Sequence, residues 1–331
     1  MTPLRELLGI DHTIVQAPMA GVAHGRLAAA VTGAGGFGML GVRGSEEPGW
    51  IRSEAQLAGS AGPFGVGLLA WALRDDASAL DTVLATLPRL VSVSFGDVTP
   101  HAEAVHAAGA LLATQVQRAE AAREALDAGV DVLVVQGTEA GGHTGRVATL
   151  PLLQEVLPLA EAARVPVLAA GGIATGRAVA GVLAMGVQGA WIGTRFAATR
   201  EGAGTHGAKA RILAAGSADT VLTHAFDVVQ GAAWPDEFPG RALRNRFTDR
   251  WHGREDELAA VLAREQVTFR GAVERDDREV AHVYAGQASG SIQDLPSAAA
   301  VLQRLVAETH HHLRHATALL STSPPTVRMA P

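Results

Sequence analysis

Short apolar runs recur along the chain, and each is followed by a stretch with helical spacing. The runs read as strands at TIVQAPM (13–19), FGMLG (37–41), FGVGLLA (64–70), LVSVSFG (90–96), ALLATQV (110–116), VDVLVV (130–135), VPVLAAGG (165–172) and GAWIGTRF (189–196). Near-continuous apolar content rich in β-branched residues suits parallel strands buried on both faces. The helices between them are expected at 25–35, 45–59 from a Ser45 cap, 75–87, 99–108, 117–129 with Gly129 at the C-terminal cap, 149–163 bent or interrupted near Pro158, and 174–186. Eight strand–helix units predict an α/β fold, a (β/α)8 TIM barrel, with a doubly wound open sheet as the rival. The eighth helix is missing where it should start, and the pattern breaks at Glu201. Residues 1–204 and 286–331 are expected to form the barrel. Residues 205–285 form a mostly helical inserted lid, and 296–320 the displaced eighth helix. The tail 321–331 is expected to be frayed or draped.

Composition narrows the chemistry. The 331 residues are 48% hydrophobic and 18% charged, which allows a large core and argues against disorder. A net charge of −6 leaves no electrostatic footprint for nucleic acid. The absence of cysteine removes disulfides, thiolate nucleophiles and Cys-ligated metals. No apolar run reaches membrane-span length and no signal-peptide pattern opens the chain, so a soluble cytoplasmic protein is expected.

Candidate chemistry gathers where strands end, because α/β folds bind ligands at the C-terminal ends of their strands. The stretch 130–145 ends the sixth strand in a glycine-rich loop carrying Glu139 and His143. His143, between Gly142 and Thr144, is the candidate acid or base, and Glu139 is expected to brace the loop. AAGGI (169–173) and WIGTRF (191–196) end the seventh and eighth strands, the pair whose loops commonly hold a phosphate in barrels. Gly171, Gly172, Gly193 and Thr194 are the expected backbone donors, helped by a helix N-terminus. Gln115 and Gln136 end the fifth and sixth strands and suit the polar edge of a heterocycle. Ala17, Pro18 and Met19 end the first strand and could form a wall beside a flat ring.

Other patterns carry less. GAGGFG (33–38) has dinucleotide-fingerprint spacing but follows a helix and leads into a strand, the reverse of the required context. Gly202 to Lys209 departs from the P-loop pattern. His310, His311, His312 and His315 lack a third ligand type and read as a solvated helix face, so no metal is expected. Trp234, Trp251, Asp276 and Asp277 are expected to serve packing and surface.

QAPMAG, QGTEAGGHTG, the glycine pairs of 169–196, LRNRF (243–247) and AGQASGSI (285–292), in this order and spacing, resemble the nitronate monooxygenases, formerly 2-nitropropane dioxygenases, over nearly the whole chain. Flavin-type enoyl-acyl-carrier-protein reductases and some NADH:quinone reductases share this core. The resemblance implies non-covalent FMN. Its phosphate would rest on Gly171, Gly172, Gly193 and Thr194, and its ring beside Ala17, Pro18, Met19, Gln115, Gln136 and Gly142. Gln287, Ser289 and Gly290 would close over it, and His143 would sit beside the flavin. The implied activity is oxidation of alkyl nitronates, and of nitroalkanes after proton removal by His143, with O2 to carbonyl compounds and nitrite. The alternatives are an NAD(P)H-dependent reductase of quinones or enoyl thioesters and a phosphate-ligand binding barrel without turnover. The partners expected are a small substrate and O2, with no nucleic acid or membrane, and a homodimer as the candidate assembly. Two positions depart from the family pattern. Gly67 stands where many relatives carry Asn, and Ser94 where some carry His.

Overall fold

A computed structural model describes residues 3–74 and 76–320, so the tail 321–331 lies outside the described residues. The strands are β1 Ile14–Gln16, β2 Gly38–Gly41, β3 Phe64–Leu69, β4 Leu90–Ser94, β5 Leu111–Val116, β6 Val132–Gln136, β7 Gly142–His143, β8 Val167–Ala170, β9 Gly189–Ile192, β10 Thr220–Thr223 and β11 Gly240–Leu243. Eight of them pair in the order β1-β9-β8-β6-β5-β4-β3-β2, all parallel. The seam between β1 and β2 closes through a parallel bridge, Val15 to Phe37, with Phe37 N donating to Ile14 O at 3.0 Å. The fold is a TIM barrel.

The sequence pattern locates every barrel strand but reads several too long. Strand β1 stops at Gln16, before Pro18, which has no N–H to continue a ladder. Strand β4 stops at Ser94 because Phe95 takes φ +66°, and β8 stops at Ala170 because Gly171 takes φ +101°. The expected Ser45 cap is not used. The helix runs Pro48–Gly59 with proline in its first turn, where the missing N–H costs nothing. Glu46 instead accepts from Arg43 N and Gly44 N. The helix Thr149–Ala163 continues through Pro158 rather than breaking, since Pro158 lies on the exposed side where water can reach the carbonyl it leaves unpaired.

Two apolar layers form as strand alternation requires. Residues facing outward, among them Val66, Val91, Val93, Leu112, Leu133, Val135 and Ile192, pack against the helices. Residues facing inward, including Val15, Phe37, Met39, Val132, Val134, Leu168 and Trp191, fill the barrel. The short helix Leu4–Leu8 plugs the lower end by adding Leu4 and Leu8 to that inner layer. The helix Ala298–Leu320 stands in the eighth helical place. Its Glu308 carboxylate accepts from Gly176 N at 2.9 Å, and its Gln303 donates to Ala34 O at 3.2 Å, bridging the helices after β8 and β1. Among the described residues no helix is long and apolar enough to cross a membrane.

Between the one-turn helix Thr194–Ala197 after β9 and that last helix lies a segment with five α-helices among its described residues, His206–Ala214, Ala225–Gln230, Arg246–Trp251, Glu255–Ala260 and Leu262–Glu274. Its own core is aromatic, built on Phe226, Phe247, Trp251 and Phe269. It also carries what the helical pattern hides, the strands β10 and β11. These pair antiparallel, and β11 recruits β7 from the loop after β6, with Gly240 opposite His143.

Leu8 is fully buried at the barrel floor. Leu8→Ala should cost about 3 kcal/mol in urea unfolding. A loss within ~0.5 kcal/mol, the range of ordinary surface changes, would show that the floor does not depend on this plug.

Candidate active site

His143 is held at the mouth by the residues on both sides of it. Gly142 takes φ +77°, a left-handed turn that β-branched or bulky residues avoid, and this sets the imidazole between the barrel and the inserted segment. The carbonyl of His143 accepts from Gln136 Nε2 at 3.2 Å, and Gln136 Oε1 accepts from Gln117 Nε2 at 2.7 Å. All three side chains are buried. Gln136 thus bridges Gln117 and the His143 carbonyl and ties the histidine loop to the strand end, with one N–H and one carbonyl lone pair of its amide left over. Gln117, next to the expected Gln115, is the residue that the strand-end reading missed.

The imidazole itself has a partner from the insertion. His143 Nε2 lies 2.8 Å from Asp227 Oδ1, with both side chains buried. Burial pulls the His143 pKa below the usual histidine value, against the opposing effect of Asp227. Burial also raises the Asp227 carboxyl, but hydrogen bonds from His143 and His224 outweigh it and hold it below its usual value. Asp227 is thus ionised and can only accept, so Nε2 of His143 carries the ring proton. Nδ1 then presents a lone pair, and no partner takes it among the described residues. Trp234 lies flat on the same ring, 3.4 Å between centroids and 5° between planes. Trp234 was expected to serve packing alone, yet the ring it packs on is that of the candidate base. Trp251, Asp276 and Asp277 do have structural roles. Trp251 is buried in the insert core, Asp276 accepts from Gly207 N at 2.8 Å, and Asp277 accepts from Glu279 N at 3.1 Å.

The remaining expected residues fall into two groups. Segments distant in sequence meet around Glu139 and Gly193. Glu139 accepts from Thr149 N and Oγ1 and braces the loop. Its carbonyl takes the N–H of Gln287 at 2.9 Å, and Gly286 N donates to Thr194 Oγ1 at 3.0 Å. The approach is backbone on backbone, for a Cβ on Gly141 would stand 2.5 Å from Gly286 N. Gly193 lies against Ala17 and Met19, and Gly172 against Glu139. Gly172 and Gly193 donate their N–H groups to no acceptor among the described residues. Two free donors on neighbouring loops are what a phosphate requires. The helix contribution expected there is reduced, because the Glu308 carboxylate already occupies the N-terminus of helix Gly176–Ala184, and the helix after Gly193 is one turn long. Ser289 and Gly290 belong to the second group. Ser289 is fully buried with its hydroxyl donated to Gly286 O, and Gly290 packs on Ser217. They shape the turn that carries Gln287.

The two departures have structural counterparts. Gly67 faces the Pro18 ring so closely that a Cβ would stand 2.4 Å from Pro18 Cγ. Pro18 thus fills the space that a side chain at 67 would need. Ser94 is buried, accepts from Gln115 N at 3.0 Å and pairs with Ser92 at 3.1 Å. Beside the site runs a groove of about 770 Å³, lined by Gln115, Gln117, Arg146 and Ala121 and walled at Phe95 and Phe238. Phe95 carries left-handed backbone strain, costly for a bulky residue. Its ring meets Trp234 at 5.2 Å and Phe238 at 5.4 Å, so the strain sets an aromatic wall between groove and His143. Among the described residues no cluster of His, Asp and Glu could hold a metal. His310, His311 and His315 are exposed on the last helix.

The family model for nitronate monooxygenases matches residues 70–308. A Mycobacterium tuberculosis protein named (3aS,4S,5R,7aS)-5-hydroxy-7a-methyl-1-oxo-octahydro-1H-indene-4-carboxyl-CoA dehydrogenase is 32% identical, over 96% of this chain and 99% of its own. A nitronate monooxygenase of Neurospora crassa is 31% identical, over 91% of this chain and 90% of its own. Among solved structures, FabK from Thermotoga maritima superposes with a TM-score of 0.82 at 28% identity, covering 96% of this chain and 99% of that one. The matched span takes in five of the eight barrel strands in full, the inserted segment and His143 with its Asp227 partner, and the chain belongs to the nitronate monooxygenase family, a family of oxidoreductases.

Proposed function

We propose that this oxidoreductase binds FMN and oxidises alkyl nitronates, and nitroalkanes after deprotonation, with O2 to carbonyl compounds and nitrite. Family membership supports the reaction class. The free N–H groups of Gly172 and Gly193 fit the FMN phosphate, and the apolar run Ala17, Pro18 and Met19 beside Gly193 fits one wall of the ring system. FMN held there would supply the electron transfer from substrate to O2 that no side chain provides.

One observation carries the role of the protein, namely the unpartnered Nδ1 of a neutral, buried His143 whose Nε2–H is fixed by Asp227. Towards a neutral nitroalkane, Nδ1 takes the α-proton, and the imidazolium formed is stabilised at once by the Asp227 carboxylate. Towards a nitronate no proton needs to move, and the imidazole, whose N–H is spent on Asp227 and whose Nδ1 offers only a lone pair, is not required as a base. Trp234 and the Phe95–Phe238 wall keep bulk water from the imidazole.

A second reading rests on the groove. It is larger than a small nitroalkane needs, and it suits a longer substrate such as an enoyl thioester, reduced at the expense of NAD(P)H. The name of the Mycobacterium tuberculosis relative, a carboxyl-CoA dehydrogenase, points the same way.

The purified protein should be yellow and release FMN on heating. A colourless protein that takes up no added FMN would leave only a phosphate-ligand barrel without turnover. Anaerobic bleaching by a nitronate and not by NAD(P)H supports the first reading, and the reverse supports the second. His143→Asn should keep FMN, lose ~100-fold in kcat/KM for a neutral nitroalkane and lose far less for its nitronate. Equal turnover of mutant and wild type on both substrates would remove His143 from the chemistry.

The base works only when neutral, and burial depresses its pKa. The nitroalkane rate should therefore hold through neutrality and fall only at a pH below the ordinary histidine range, while the nitronate rate lacks that limb. A pH–rate series on both substrates checks this. An acid limb at or above the ordinary histidine value would contradict the buried-base assignment.

A further inference from the structure

One buried carboxylate serves two imidazoles here, and the hydrogen bonds give those imidazoles different charges. Asp227 Oδ1 takes Nε2–H of His143 at 2.8 Å, and Oδ2 takes Nδ1–H of His224 at 3.3 Å. The other nitrogen of His224, Nε2, lies 3.1 Å from the backbone carbonyl of Asp236, which can only accept. Both ring nitrogens of His224 therefore carry protons, and His224 is an imidazolium. His143 has an acceptor on one nitrogen alone and is neutral. A single carboxylate balances a single cation, and a second positive charge beside it is disfavoured.

We propose that His224 is the positioning residue that sets the basicity of His143. As a standing cation on the second oxygen of Asp227, it anchors the carboxylate and opposes protonation of the other imidazole until a substrate proton arrives. The role of His224 in turnover rests on the reading of His143 Nδ1 as a base, but the charge assignment does not.

The other ionisable groups near the cluster do not compete. His282 is driven down to about 4, first by desolvation and then by Arg278 and Arg43, so it is neutral near pH 7. Tyr284, 5.5 Å from the His143 ring, is held protonated by burial and by Asp227. The hydrogen bond from His224 to Asp227 is the main factor that keeps His224 protonated, against its partial burial, and the Asp236 carbonyl and charge add to it.

Nitrogen-15 and proton NMR of the flavin-loaded protein tests the assignment directly. At pH 7 the wild type should show His224 doubly protonated and His143 as the Nε2–H tautomer. A neutral His224 would overturn the proposal. His224→Gln keeps a donor towards Asp227 and removes the charge. In that variant His143 should titrate about one pH unit higher, and the acid limb of the nitroalkane kcat/KM profile should move with it, while turnover of the preformed nitronate stays the same. An unchanged His143 midpoint in a folded His224→Gln protein would also overturn it. A shifted midpoint in a protein that turns over no nitroalkane would uphold the charge pair and overturn the nitroalkane reading instead.

Discussion

A carboxylate cannot stay ionised inside a protein without compensation, and Asp227 is buried at the barrel mouth. Its compensation comes from His143 on a barrel loop and from His224 on its own segment. The charge therefore ties the inserted segment to the barrel at the point where the chemistry is expected. The neighbouring contacts strengthen the same joint. Strand β7 pairs with β11, and buried Arg241 on β11 donates to Thr138 O at 2.7 Å and to Thr220 Oγ1 at 3.0 Å. Removing the acid would leave one imidazole without its tautomer and another without its counter-charge.

The same joint explains why the site is built from such distant residues. Closing eight parallel strands brings every strand end to one rim, so the ends of β1, β6, β8 and β9 become neighbours. The glycines on that rim let backbone meet backbone, as at Gly141 and Gly286, and leave the N–H groups of Gly172 and Gly193 unclaimed. The inserted segment then covers the rim with Trp234, and the strained Phe95 completes the cover from the barrel side. Rigid strands thus position the donors, and the inserted segment covers the imidazole.

The barrel is legible in the sequence wherever the signal is local. Period and β-branched content gave the eight strands, and the glycine-flanked His143 stood out because it followed the sixth of them. The long apolar stripe of 296–320 identified the displaced eighth helix for the same reason. Strand ends were read less well. Proline and positive φ end a ladder earlier than hydrophobicity does, as Pro18, Phe95 and Gly171 show. At Gln136 and Ser289 only the tertiary structure supplies the protein partners, namely Gln117 and the His143 carbonyl for the one and Gly286 O for the other. An isolated acid within an apolar stretch, Asp227 in AFDVVQ, was a usable sign of a buried charge.

By itself, then, the amino-acid order determined the barrel, the place of its insertion, the rim loops and the candidate histidine on one of them, because each depends on contacts among near neighbours in the chain. Only the tertiary structure decided the partner of that base. His143 and Asp227 are separated by 84 residues, and no periodicity relates them. Their meeting depends on β11 folding back across the rim to pair with β7. The tautomer of His143, the charge of His224 and the ring of Trp234 follow from that pairing, since a proton's position is set by whichever acceptor stands nearest in space.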